Sequence, residues 1–185
     1  KNYPSEELIS AKKGAGNPQT FQLGQVYGGG YIFYIDETGQ HGLIISKNDV
    51  DGGPFKWRKE NDTSAVGAFN NDGFYNTKRI IQVYGNVPKY VNPYAALAAK
   101  NYNGGGFNDW YLPSYVDWGK INATRNMSID LNISSDVNYI TSSEDPWNFV
   151  GYQVLFFTSA GYGGNGGILG TGKDVAYPIR VIRKF

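Results

Sequence analysis

The stretch "NGGGFNDWYLPS", residues 103–114, crowds three consecutive glycines, a Trp, a Tyr and a Pro into twelve residues and carries no side chain of obvious catalytic use. It lies between a helical pattern, "YAALAAKNY" (94–102), and a second helix start, so it must turn the chain and hold it there. Gly104, Gly105 and Gly106 permit a sharp turn because glycine adopts backbone angles closed to other residues. Trp110 and Leu112 are then placed to plug the core, while Pro113 with Ser114 launches the next helix. The expected role is a structural latch.

Upstream, "YIFYI" (31–35) and "GLIIS" (42–46) are β-rich apolar runs separated by "DETGQH", whose Asp36 and Gly39 suit a tight reversal and predict an opening hairpin. Residues 1–20 hold one short helical possibility ended by Gly14, Gly16 and Pro18, and are expected to be a linker or tail ahead of a single domain over 21–185. Phe74, Thr77, Ile80, Ile81 and Tyr84 share a helical face, and Asn92 with Pro93 stands at the N-cap and first turn of the 94–102 helix. Ser114 and Asp117 form a capping pair for a third helix with Val116, Trp118 and Ile121 as its apolar members and Gly119 weakening it. After Asn132 the pattern turns to strands at 139–143, 152–159 and 177–185, with a glycine-rich loop between the last two. Hairpin, helices, then strands is the order of an α+β fold with an antiparallel sheet, two to three helices and long Gly-rich loops.

The 185 residues, 41% of them hydrophobic, suffice for one well-filled core. Seventeen Lys and Arg against 16 Asp and Glu leave a net charge of +1, so no long-range field draws the chain towards nucleic acid, and none is expected as a partner. A load of 15 Tyr, 10 Phe, 4 Trp and 25 Gly predicts irregular loops pinned by aromatic rings. The absence of cysteine excludes disulfides, thiolate zinc sites and a catalytic thiol without fixing the compartment. No apolar run approaches the roughly 18 residues that cross a bilayer, so no membrane insertion is expected. Opening on Lys1 and without a signal-peptide pattern, the chain is expected to be a processed form or a piece of a longer protein.

Five segments in order carry a family resemblance: "GQVYGGGYIFYIDETGQHGLIIS" (24–46), Asn76 and Thr77 with Ile80, "GGFNDWYLPS" (105–114), "YITSSE" (139–144) and "PIRVIRKF" (178–185). Together they resemble the C-terminal domain family of the Legionella collagen-like adhesin, over nearly the whole of 24–185. The resemblance implies a variant of the C-type-lectin fold, placed at the end of a secreted or bacterial cell-surface protein and used in adhesion, with glycans as ligands of some relatives. It also implies a homotrimer through an upstream stalk. Members commonly carry an acidic, Leu-rich helix where this chain has "YVDWGKINATRN", and often Trp where it has Ile140.

Enzymatic motifs fail on their own chemistry. "GILGTGKD" (167–174) has the spacing of a phosphate-binding loop, but Asp174 replaces the hydroxyl that would reach magnesium and Pro178 forbids the helix that should follow. His41 is the only histidine and has no visible nucleophile or orienting acid, which leaves it a turn residue. The formylglycine-generating oxidases, which share the lectin-like architecture, depend on cysteines that this chain lacks. No enzyme activity is expected.

Sugars pack their C–H faces on aromatic rings while carboxylates and amides take their hydroxyls. "SSEDPWNFVGYQ" (142–153) and "SAGYGGNGG" (159–167) offer both kinds of group on expected loops. The candidate ligand contacts are Ser143, Glu144, Asp145, Trp147, Asn148, Tyr162, Asn165 and Lys173, although Trp147 and Tyr162 equally suit a core position. Calcium is the one cofactor these stretches could hold, with Glu144, Asp145 and Asn148 as its oxygen ligands. The expected function is therefore a non-enzymatic, exported module for glycan or host cell-surface recognition. The competing assignment is a structural or oligomerising cap that takes no small ligand.

Overall fold

A computed structural model describes residues 19–61, 64, 66–87, 91–134, 137–145, 153–158 and 167–185. In chain order its strands are β1 (Val26–Tyr27), β2 (Gly30–Ile35), β3 (Gly42–Ser46), β4 (Phe55–Lys56), β5 (Asn138–Glu144), β6 (Gln153–Thr158), β7 (Gly167–Gly172), β8 (Ala176–Tyr177) and β9 (Ile182–Lys184). The α-helices among these residues are α1 (Gly73–Tyr84), α2 (Ala95–Asn101) and α3 (Tyr115–Asn126). All strand pairs are antiparallel, in three sheets ordered β1-β2-β3-β9, β4-β8 and β5-β6-β7. The fold is α+β. No helix among the described residues is long and apolar enough to cross a membrane.

The hairpin forms as its sequence dictates. Asp36 accepts the Thr38 N–H at 3.0 Å and its hydroxyl at 2.5 Å, which closes the turn between β2 and β3. Ile32 and Ile44 enter one core with Trp57, Trp110 and Ile80, whereas Phe33 and Ile45 enter a second with Trp118, Ile121 and Tyr139. Alternate residues thus bury opposite faces of one sheet, which explains why both strands read as unbroken apolar runs.

Residues 103–114 do hold the molecule together. Gly104–Gly106 make a single 3-10 turn in which Gly105 has φ 68°, and a Cβ on Gly105 would stand 2.4 Å from the Gly29 Cα. Only glycine lets the two backbones approach so closely. Trp110 is 1% exposed and Leu112 wholly buried, and the Trp110 indole N–H donates to the Gly104 carbonyl at 3.1 Å. Tyr111 exchanges two backbone hydrogen bonds of 2.9 Å with Ile182, which ties the latch to β9. Next to it the Arg183 guanidinium grips Asp109 at 2.7 and 2.9 Å while lying 3.8 Å from the centre of the Phe107 ring.

Several local expectations change. The glycine-rich 167–172 is not a loop but β7, paired with β6 in unbroken register, because strand pairing uses backbone groups that glycine supplies as well as any residue. The strand expected over 177–185 divides into β8 and β9: Pro178 has no N–H to give a ladder, and Ile179, Arg180 and Val181 are buried between the two pieces. α2 starts at Ala95 with Tyr94 as an N-cap that makes no side-chain bond, so Asn92 and Pro93 lie ahead of it. On α1, Phe74 turns outward at 43% exposed and Asn76 takes an inner place, its amide donating to the Asn70 carbonyl at 2.7 Å. On α3 the Ser114–Asp117 capping box forms as expected, with Trp118 and Ile121 inward.

Trp110→Ala is expected to cost about 3–5 kcal/mol in denaturant unfolding, since it empties the centre of the larger core. Arg183 holds the Asp109 carboxyl below its ordinary value of 3.8. A depressed carboxyl stabilises fully above its unfolded value and loses that contribution as pH falls through the folded one. Asp109→Asn should therefore lower the melting temperature near neutrality, and the gap to wild type should close between about pH 5 and about pH 2.

Candidate functional site

Four of the residues expected to contact ligand, Trp147, Asn148, Tyr162 and Asn165, lie outside the described residues. Asp145 is partly buried at the exit of β5. The structure brings Glu144 and Lys173 together, but as an interior pair, each side chain 2% exposed. The Glu144 carboxylate accepts the N–H groups of Val66 at 3.1 Å, Gly67 at 2.6 Å and Ala68 at 3.3 Å, as well as the Lys173 ammonium. Lys173 also lies 4.6 Å over the Trp57 ring and reaches the Ser64 carbonyl at 3.4 Å. Ser143 is equally committed, its hydroxyl accepting the Tyr115 N–H at 3.1 Å.

These contacts correct the assignment of Ser143, Glu144 and Lys173 to a ligand surface. Both Glu144 oxygens are taken by protein donors, so no oxygen of Glu144 is left for a calcium ion shared with Asp145 and Asn148. Among the described residues no group of three or more His, Asp or Glu side chains is placed to hold a metal. The pair instead pins β5 and the end of β7 to the segment at 66–68.

An open cleft of about 460 Å³ lies elsewhere, where β2, β9 and the starts of α1 and α3 meet the latch. Its floor is Tyr111 and Asp117, 3% and 4% exposed. Asp117 is drawn in by the capping box: its Oδ2 accepts the Ser114 N–H at 2.9 Å, the Ser114 hydroxyl at 2.8 Å and the Gly73 N–H at 3.0 Å. Its Oδ1 accepts no hydrogen bond from any described residue, and Asp117 lines the cleft. Burial raises the Asp117 carboxyl, opposed by its bonds to Ser114 and Gly73 and by the Lys120 charge.

The Tyr111 hydroxyl likewise has no partner among the described residues. Burial raises its pKa, and Asp117, Asp72 and Asp109 push it further the same way, so it keeps its proton and can both donate and accept. The walls are mixed. The Tyr34 ring carries the Lys120 ammonium 4.5 Å above it, Lys184 pairs with Asp72 at 2.8 Å, and Phe185 and His41 complete the rim.

Sequence reasoning saw Tyr111 as part of a latch and Asp117 as a helix cap, and both roles are real. The overlooked signal was their adjacency: an acidic cap three residues after a latch that enters the core must itself be buried, and a buried carboxylate with spare acceptor capacity marks a polar site. No protein-family model matches the chain, and no curated protein matches it either.

Removing one partner of the interior pair should be costly and unequal. Lys173→Met leaves a carboxylate still held by three N–H groups and should cost about 3–5 kcal/mol. Glu144→Leu removes the acceptor of the same N–H groups and the counter-charge of a buried ammonium together, so urea unfolding should show it to be the more damaging substitution.

Proposed function

We propose that this domain is a non-enzymatic recognition module that binds a glycan in the cleft floored by Tyr111 and Asp117. The observation that carries the proposal is the presence of two nearly buried polar groups, the Tyr111 hydroxyl and Asp117 Oδ1, with hydrogen-bonding capacity that no described residue uses. A pyranose ring presents what such a floor takes: hydroxyls that donate to a carboxylate and exchange hydrogen bonds with a phenol. Tyr34 and Phe185 supply rings for its C–H faces at the cleft wall. The groups binding the sugar are oxygen atoms and rings of the chain itself, so the proposed mode of recognition uses no calcium.

The resemblance to the adhesin C-terminal domains supports the same assignment, with a C-type-lectin-like fold, a secreted or cell-surface setting and repetition on a trimeric stalk. One cleft open to solvent buries little of a ligand, and joining several copies can raise avidity by roughly 10² to 10⁴ without new contacts.

A glycan array probed with the purified domain, followed by titration of the strongest binder, tests the proposal. Tyr111→Phe removes one oxygen and leaves the ring in the core, and is expected to weaken binding about tenfold with an unchanged melting temperature. Asp117→Asn should weaken it further. Full affinity in both variants, or turnover of a bound saccharide, would overturn the assignment.

A further inference from the structure

A second cavity, of about 380 Å³, also has Tyr111 in its wall and lies between α1 and the latch. Phe74, Ile81, Trp110 and Tyr111 give it its surface. The polar groups in its walls are largely spent: the Thr77 hydroxyl accepts the Leu112 N–H at 3.0 Å and donates to the Leu112 carbonyl at 3.4 Å. Lys100 donates to the Asn108 carbonyl at 3.1 Å, and Asp109 is gripped by Arg183. What this groove offers a ligand is mainly carbon, with the Lys78 ammonium at its rim.

The contrast with the cleft is chemical. The cleft keeps two acceptor or donor groups to spare, the Tyr111 hydroxyl and Asp117 Oδ1, whereas Thr77, Lys100 and Asp109 in the groove are already bonded within the protein. Phe74 stands at the seam, its ring 5.7 Å from that of Tyr111 and 43% exposed, with the Lys184 ammonium 5.8 Å away on the cleft side. An exposed aromatic ring between a polar cleft and an apolar groove gives a chain leaving the cleft a carbon surface to follow.

We infer that the ligand is amphipathic: a glycoside whose sugar occupies the cleft while its apolar aglycone, an alkyl or acyl chain, lies in the groove along Phe74 and Ile81. This rests on the glycan assignment of the cleft. A neutral chain suits the groove because Asp109 and Lys100 are already paired within the protein. Tyr111 lines both cavities and Phe74 packs on its ring, so a ligand that fills the cleft has the groove as its neighbour.

Calorimetric titration of the whole chain with methyl and n-octyl β-D-glucopyranosides and β-D-galactopyranosides, the octyl forms kept below their micelle concentration, tests the inference. An octyl glycoside is expected to bind at least about tenfold tighter than its methyl partner, since several methylenes leave water. That advantage should vanish in Phe74→Ser, a substitution at a position 43% exposed, and in Ile81→Asn, whereas Tyr111→Phe should weaken both forms alike. Equal affinity of octyl and methyl forms would overturn the inference and leave the sugar cleft standing. An octyl advantage that survives both groove variants would place the chain elsewhere and overturn it as well. Failure of every octyl form to bind would overturn it too, with the glycan array deciding the cleft separately.

Discussion

One carboxylate oxygen organises the centre of this molecule. Asp117 Oδ2 gathers the N–H and hydroxyl of Ser114 and the N–H of Gly73, and so satisfies donors at the beginnings of both α3 and α1. Buried backbone donors without partners are expensive, which makes this junction hard to rearrange. Gly73 must be glycine for the same reason: a Cβ there would come within 2.3 Å of the Leu112 carbonyl oxygen. With both helix starts fixed on one atom, the latch that runs into α3 is held in place, and its Trp110 and Leu112 enter one core while Tyr111 enters the other.

The remaining interior charges are fastened on the same plan, by backbone partners as much as by opposite charge. Arg180 is wholly buried and spends its donors on the carbonyls of Ser46, Leu131 and Asn132 and on the Ser46 hydroxyl, with Asp49 at 4.0 Å. Burial lowers its pKa, opposed by Asp49 and by the hydroxyls of Tyr139 and Tyr102. Glu144 draws three N–H groups from 66–68 in the same manner. Each of these side chains replaces a strand or helix as the means of satisfying irregular backbone.

What could be read from the sequence follows from how local each signal is. The β2–β3 turn and the α3 capping box involve residues within a few positions of one another, and both were legible. β7 was not, because a glycine run gives no side-chain pattern and its order comes from pairing with β6. The burial of Glu144 was hidden for a related reason: its partners lie 76 to 78 positions away and are backbone groups that no residue type announces. Polar residues on an expected loop therefore looked like a ligand surface. The cleft escaped notice because Tyr111 and Asp117 already had structural roles, and only three-dimensional accounting reveals an oxygen atom left over.

The position of β9 bears on how the chain is born. It pairs with β3 from the first hairpin, exchanges hydrogen bonds with Tyr111 at mid-chain and carries the guanidinium that clasps Asp109. Ile179 and Val181 just ahead of it and Ile182 within it are fully buried across both cores. Contacts between segments far apart in sequence form late and slowly, because loop closure must precede any reward. During synthesis the early hairpin therefore waits with one sheet edge unpaired until residues 179–185 clear the ribosome tunnel. A cut ahead of residue 179 would leave that edge of β3 open and take away the backbone partner of Tyr111.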